Sequence, residues 1–355
     1  MDDPLKGPNP TGWPWMWPLS AGLAFGEAFR SSMLSRSPAD PPRPEQVWAT
    51  PHTIALDLGA TCLRGFSDTQ GPANLVVGPY ALHGASIADF APNISLMEVL
   101  KSSGVPNLHL FECKSAGAAQ RLLGIDDYLS ALNVAVDFLG GRVSLTGLCQ
   151  GGWLSLMYAA RFPHKVRRLA LIGSPVDLDA GASPIVESVR TMPPEVLRAL
   201  VMSEDGLVIG QKMQQFWAQT FDALAIADIL QVEDVPPDVL ARFAEWDAYT
   251  LDLPGVYFCE VLENLFRRNE LARGSFVALG QMISLRDVKV PLYLLAGEDD
   301  RVTPPEQLLA TAKLVGTRKG QITRVTTPCD HLSLFLGART LAEEWRAIGA
   351  WLRGN

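Results

Sequence analysis

From residue 50 onward, short apolar runs alternate with stretches whose apolar residues recur every three or four positions. ANLVVGPY (73–80) and NLHLFEC (107–113) are apolar or β-branched runs bounded by Gly, Pro and Asn, which predicts buried strands. IDDYLSALNVAVDFLG (125–140) sets Leu129, Leu132 and Val136 at helical spacing and stops at Gly140 and Gly141. RVSLTGLC (142–149) predicts a strand, GGWLSLMYAARF (151–162) a helix directly after it, and RRLALIGS (167–174) a further strand. Two late strands, VPLYLLAG (290–297) and QITRVTT (321–327), precede a closing helix, LAEEWRAIGAWL (341–352). This alternation implies an α/β fold: a mostly parallel sheet with helices on both faces and its sites at the carboxyl ends of strands. Between 178 and 286 the rhythm is lost, and PPEVLRALVM and QQFWAQTFDALAIADIL read as helices. The expected organisation is an N-terminal arm and linker (1–49), a first part of the core (50–177), a helical cap inserted over the sheet (178–286), and a second part of the core (287–355).

Composition narrows the function classes. Of 355 residues, 48% are hydrophobic and 19% charged, enough for a sizeable core, and the net charge of −8 argues against a nucleic-acid binder. Five cysteines form no C-x-x-C pair and no metal-ligand spacing with the five histidines, so no metal is expected. An odd number of scattered thiols fits a reducing, cytoplasmic setting. The arm WPWMWPLSAGLAFGEAF (13–29) has three tryptophans among prolines and is broken by Glu27. It lacks the basic start and unbroken run of a secretory signal, and no stretch reaches the roughly 20 apolar residues of a spanning helix. Two roles are open to it: packing on its own domain or a dimer mate, or docking on a hydrophobic surface such as a lipid or polymer granule. The proline-rich SRSPADPPRPEQ (35–46) predicts a semi-extended linker.

The candidate chemistry centres on Gly147-Leu148-Cys149-Gln150-Gly151. This is the G-x-S-x-G frame of the α/β-hydrolase nucleophile elbow, with sulfur in place of the hydroxyl oxygen. Its context is a strand before and a helix after, with glycines where the elbow crowds its neighbours. A nucleophile there requires a carboxylate and then a histidine after late strands. LLAGEDDRVTP (294–304) offers Asp300, ahead of Asp299 and Glu298, and TTPCDHLSLF (326–335) offers His331. Asp177, after the strand that follows the elbow, is the alternative acid. His52 precedes the sheet, His164 sits in a helix-ending turn, His109 lies inside a strand, and His83 follows the first strand, where it can line the site. The expected division of labour makes Cys149 the nucleophile, His331 the base and Asp300 the group that holds the imidazole. The backbone N–H of Gln150 is one expected oxyanion donor, and the second is expected from VGPYALHG (77–84), near Tyr80 or Ala81.

GLCQGGWLSLMYAARFPHKVRRLALIGSPVDL (147–178) resembles the lipase-like box of the polyhydroxyalkanoate synthase family, which carries cysteine in place of serine. VGPYALHGASIADFAPNISLMEVL (77–100), WDAYTLDLPG (246–255), RRNELARG (267–274) and VPLYLLAGEDDRVTP (290–304) resemble further segments of that family, so the likeness runs over about 50–352. The resemblance implies an α/β-hydrolase fold and an acyltransferase that polymerises 3-hydroxyacyl-CoA, with Cys149 carrying the acyl chain, His331 as base and Asp300 assisting. It implies no cofactor, CoA being the leaving group, and as partners a granule surface and a homodimer mate or second synthase subunit. Two positions depart from the family pattern: Asp330 stands where glycine usually precedes the histidine, and Arg301 where a histidine usually follows the aspartate. The sister group of intracellular polyhydroxyalkanoate depolymerases also uses a cysteine, but its elbow typically reads Cys-Gln-Pro against Cys149-Gln150-Gly151-Gly152 here. Another thiol-dependent ester hydrolase and a silent granule scaffold are the remaining readings. Sulfur suits the synthase reading, because one thioester exchanges its acyl group with another at little free-energy cost.

Overall fold

The structure, a computed structural model, describes residues 46–67, 69–217 and 225–354. The tryptophan-rich arm and nearly all of its linker lie outside the described residues. Eight strands form the main sheet: β1 (Thr53–Asp57), β2 (Thr61–Gly65), β3 (Ala73–Val77), β4 (Leu108–Cys113), β5 (Val143–Leu148), β6 (Val166–Ile172), β7 (Leu292–Gly297) and β8 (Ile322–Thr327). Their spatial order is β1-β2-β4-β3-β5-β6-β7-β8. Only β2 runs against its neighbours; every pairing from β4 to β8 is parallel. The sequence pattern located β3 to β8 but not the β1–β2 hairpin. TIALD and TCLRG have little uniform apolar character, and β1 sits half exposed at the sheet edge, where no strong period-two signal is required.

Side-chain alternation along the strands explains why helices cover both faces. Leu145 of β5 and Leu169 and Leu171 of β6 pack with the helices α1 (Ile125–Phe138) and α2 (Gln150–Arg161). Leu148, Ala170 and Ile172 point the other way, into a second core with Leu96, Met97, Phe335, Trp345 and Ile348. Period two in the strands therefore feeds two cores from one sheet.

Between β6 and β7 the chain leaves the sheet. The segment contains helices at Pro184–Thr191, Pro194–Ser203, Gly210–Trp217, Ile226–Leu230, Pro237–Ala248 and Gly255–Glu260, with short strands among them. Leu207–Val208 pairs with Leu253–Pro254, and Val277–Ala278 with Gln281–Met282. Two-residue ladders carry too short an alternation to register in a sequence pattern.

The seam between this segment and the core is stitched by backbone groups. Leu251 N–H donates to Leu82 O (2.9 Å), Ala116 N–H to Asp252 O (2.8 Å) and Tyr257 N–H to Leu123 O (3.0 Å). Asp252 N–H donates to Ser115 Oγ at 3.0 Å. Residues 251–257 thus take their position from two core connections at once, the one after β3 and the one between β4 and α1.

Candidate active site

Cys149 joins β5 to α2 at φ 48°, ψ −119°, a conformation rarely populated by residues with a side chain. The surroundings impose it. Cys149 N–H donates to Ile172 O on β6 and its carbonyl accepts from Gly152 N–H, both at 2.9 Å. A Cβ on Gly147 would lie 2.5 Å from Gly152 Cα, and one on Gly151 would lie 2.3 Å from Val77 O. A Cβ on Gly152 would fall 1.9 Å from Ser174 Oγ. The glycines thus let α2 begin directly against β3, β5 and the end of β6, and the turn lifts Cys149 to half-exposure at the carboxyl edge of the sheet.

The loop after β7 brings in the carboxylate. Glu298 and Asp299 are exposed, whereas Asp300 is buried, which separates the three acids of the GEDD run. Asp300 Oδ1 accepts from Val302 N–H (2.9 Å) and Thr303 N–H (2.7 Å), and its Oδ2 lies 2.7 Å from His331 Nδ1. This partnership fixes the Nδ1–H tautomer and leaves Nε2 for the sulfur. Burial opposes charge on His331. The Asp300 carboxylate and the Cys149 sulfur, by charge and by hydrogen bonds, overcome it and raise the imidazole well above its ordinary range. Arg301, the other departure from the family pattern, is exposed.

The departure at Asp330 has a local function. Its Oδ1 accepts from Leu332 N–H (2.8 Å) and Ser333 N–H (3.0 Å), and its Oδ2 from Ser333 Oγ (2.7 Å). The carboxylate anchors the start of the turn Ser333–Leu336 and so holds the backbone on which His331 stands.

Cys149, Asp300 and His331 are thus brought together by three separate strand ends. Gln150 opens α2, so its N–H is among the first four of that helix, which have no intrahelical acceptor. The N-terminus of α2 also favours negative charge beside Cys149. Tyr80 and Ala81 follow β3, whose end touches the elbow at Gly151. Tyr80 is buried, and its phenol oxygen accepts from Tyr128 at 2.9 Å. His83, expected to line the site, also contacts the inserted segment. Its ring stacks on Trp246 at 4.1 Å, with Nδ1 3.2 Å from Tyr249 O and Nε2 3.5 Å from Asp247. These partners belong to the inserted segment, so His83 ties core to cap.

Asp177, the alternative acid, accepts from Asn269 Nδ2 at 2.8 Å, while Asn269 Oδ1 accepts from Leu178 N–H at 3.2 Å. It serves the cap seam. Of the other thiols Cys62, Cys113 and Cys329 are buried and Cys259 is part-exposed; burial pushes Cys62 up to about 11 and Cys329 up to about 12, and raises Cys113 and Cys259. Among the described residues no group of three His, Cys, Asp or Glu side chains could hold a metal ion, and no helix is long and apolar enough to cross a membrane.

Sequence reasoning missed Tyr257. It packs against Tyr80 (ring centroids 5.0 Å) and Tyr128 (5.2 Å), near enough to Cys149 for the sulfur's charge to act on its phenol. Nothing local in GVYFCE marks it; the long-range bonds of residues 251–257 bring it there.

Such an assembly can take a proton from a thiol, form an acyl-thioester, and stabilise a tetrahedral oxyanion at the head of α2. Comparison with known proteins bears on the fold and the family. The family model for the alpha/beta hydrolase fold matches residues 64–338. The poly(3-hydroxyalkanoate) polymerase subunit PhaC of Allochromatium vinosum is 26% identical over 288 residues, 75% of this chain and 76% of its own. The protein of the same name from Synechocystis is 25% identical over 280 residues, 75% of this chain and 74% of its own. Among solved structures, the enol-lactonase of Burkholderia xenovorans superposes with a TM-score of 0.54 at 17% identity, over 85% of this chain and 99% of that one, a likeness of fold.

Proposed function

The chain belongs to the alpha/beta hydrolase fold family, and from that premise we propose that it is an acyltransferase polymerising 3-hydroxyacyl groups from CoA thioesters into polyhydroxyalkanoate. The observation that carries this reading is a cysteine at the elbow, backed by a buried histidine–aspartate pair, in a chain similar to proteins named poly(3-hydroxyalkanoate) polymerase.

His331 Nε2 accepts the Cys149 proton, and Asp300 holds the resulting imidazolium through Nδ1–H. The sulfur attacks the thioester carbonyl, the oxyanion is received at Gln150 N–H, and collapse expels CoA thiolate, which takes the proton from His331. A hydroxyl group of a second acyl unit then gives its proton to His331 and attacks the Cys149 thioester, forming an ester bond and freeing the thiol. Water entering in place of that hydroxyl would make the protein a hydrolase. The cap bears on this choice: its seam with the core is closed by Leu251, Asp252 and Tyr257. We place the protein in the cytoplasm, with a granule surface as partner and, as for the relatives named as subunits, a second subunit.

The test follows free CoA, insoluble polymer and free acid from 3-hydroxybutyryl-CoA, for wild type and Cys149→Ala. Polymer and CoA from wild type alone, with at least a 10⁴-fold loss in the variant, are expected. Free 3-hydroxybutyrate without polymer would move the assignment to a depolymerase-like or other thiol hydrolase. Absence of CoA release both from the chain alone and with the proposed second subunit supplied would leave a scaffold without chemistry.

A further inference from the structure

The two ends of the main sheet carry opposite charge. In the register of the parallel strands Val143 lies level with Val166, and Leu169 level with Leu292, which pairs with Ile322. The amino ends of β5 to β8 therefore sit side by side, about 15 Å across at the ordinary strand spacing. The connections leading into them (139–142, 162–165, 284–291 and 315–321) and the start of β6 hold the exposed cations Arg142, Arg167, Arg286, Lys289, Arg318 and Lys319. The one acid in those connections is Asp287, and Asp137, at the end of α1, is taken by Lys165 at 2.5 Å. Arg167 Nε donates to Arg142 O (3.5 Å) and Arg286 Nη1 to Val315 O (3.2 Å), which joins neighbouring loops into one face. At the carboxyl ends, the loops 114–124, 173–183, 298–304 and 328–332 carry six acids against three cations. A chain of net charge −8 thus presents a positive face on the side away from Cys149. Beside those cations stands an exposed aromatic ring. α1 ends on Phe138, 54% exposed, and the turn Gly140-Gly141 leads from it to Arg142.

We propose that this face docks the protein on an anionic phospholipid surface, with Phe138 entering the headgroup layer and the Cys149 site turned away from it. Three features favour a lipid plane. The cations are spread over four neighbouring strand ends, as a plane of headgroups would meet them. A Phe ring set among Lys and Arg is the composition of an interfacial contact, in which the ring gains by leaving water. The acidic carboxyl ends are repelled by the same plane that attracts the amino ends, so one orientation is selected. A duplex nucleic acid or an acidic peptide would use the cations and leave Phe138 in water. The proposal goes beyond the acyltransferase reading and stands without it, because docking is measured with no substrate present.

The experiment measures flotation of the full chain with vesicles of phosphatidylcholine alone and with about 30% phosphatidylglycerol, at about 0.1 M salt. Wild type should bind the anionic vesicles at least about tenfold more tightly, and the preference should vanish at about 1 M salt. The triple variant Arg142→Glu, Lys289→Glu, Lys319→Glu should abolish the preference and keep the urea midpoint, since all three side chains are exposed. If that midpoint falls, the set Arg142→Gln, Lys289→Gln, Lys319→Gln takes its place and should lose about tenfold in affinity. Arg121→Glu, Arg268→Glu, Arg273→Glu makes the same change in net charge at other exposed positions and should keep the preference. Phe138→Ser should weaken binding to anionic vesicles about threefold. Equal binding to both vesicle compositions, or an unchanged preference in the first triple variant, would overturn the proposal. So would displacement from anionic vesicles by duplex DNA or polyglutamate at equal charge concentration, which would assign the face to a nucleic acid or an acidic protein.

Discussion

The elbow and the cap seam meet at one site but are built by opposite means. At the elbow a run of six residues, Gly147 to Gly152, is fixed by contacts that admit no extra atom: backbone lies within 2.5 Å of where two added Cβ atoms would sit. At the seam, distant residues are joined by polar groups such as Asp177 with Asn269, His83 with Asp247, and Glu260 with Ile125 N–H at 2.7 Å. The first kind of region is specified by sterics and tolerates little. The second is specified by hydrogen bonds, each of modest net energy, that can be changed one at a time. Chemistry is concentrated at the rigid region, and the seam packs Tyr257 against Tyr80 and Tyr128 of the core.

The largest effect should follow from disturbing the charge held against the elbow. Asp300→Asn keeps an acceptor for Val302 and Thr303 but presents an amide to His331 Nδ1, favouring the wrong tautomer. Acylation should fall about 10³- to 10⁴-fold, measured as CoA release in a single turnover. The same pair makes stability depend on pH. His331 is raised in the fold, so its contribution is fully present below the ordinary imidazole value of about 6.5 and is lost as pH rises through the raised value. The urea midpoint of wild type should therefore exceed that of Asp300→Asn most below pH 6.5, and the gap should narrow in alkali. A gap that widens with pH would contradict the charged pair.

A smaller effect separates steric from polar specification. Gly152→Ala should cost about 3 kcal/mol in urea unfolding, because its Cβ meets Ser174 Oγ and Cβ at 1.9 and 2.5 Å. Adding Ser174→Gly removes both atoms and should restore most of the loss. Gly151→Ala meets the carbonyls of Val77 and Gly78 instead, and no side-chain change can relieve it. If the double variant is no more stable than Gly152→Ala, close packing is not what fixes the elbow.

The smallest expected change is at the seam. Asn269→Gly preserves the left-handed backbone at φ 50° and removes the bonds to Asp177 and Leu178. The loss should be about 1–2 kcal/mol by urea midpoint. Acyl transfer should decline with it if the seam positions Tyr257, and should be untouched if the seam only adds stability.

These two regions also differ in how far they can be read from sequence. The elbow is local: β-branched residues, a G-x-C-x-G frame and a helix-forming run state it within twenty residues. Asp300 and His331 were found by chain order after late strands, and burial then separated Asp300 from its exposed neighbours Glu298 and Asp299. Asp330 looked like a defect in the pattern and proved to anchor its own turn. The seam was not legible, because Asn269, His83 and Tyr257 acquire their partners far along the chain: Leu178 to Asn269 is a separation of 91, His83 to Tyr249 one of 166 and Tyr80 to Tyr257 one of 177. Such contacts leave no periodicity.

The central claim is that Cys149 carries the acyl chain. The most direct test quenches full-length protein in acid within the first turnover of 3-hydroxybutyryl-CoA and maps the acyl mass by peptide mass spectrometry. The account predicts one hydroxybutyryl group on the peptide containing Cys149, labile to hydroxylamine as a thioester is, and absent in Cys149→Ala. An acyl group on any of Cys62, Cys113, Cys259 or Cys329, or turnover persisting in Cys149→Ala, would contradict it.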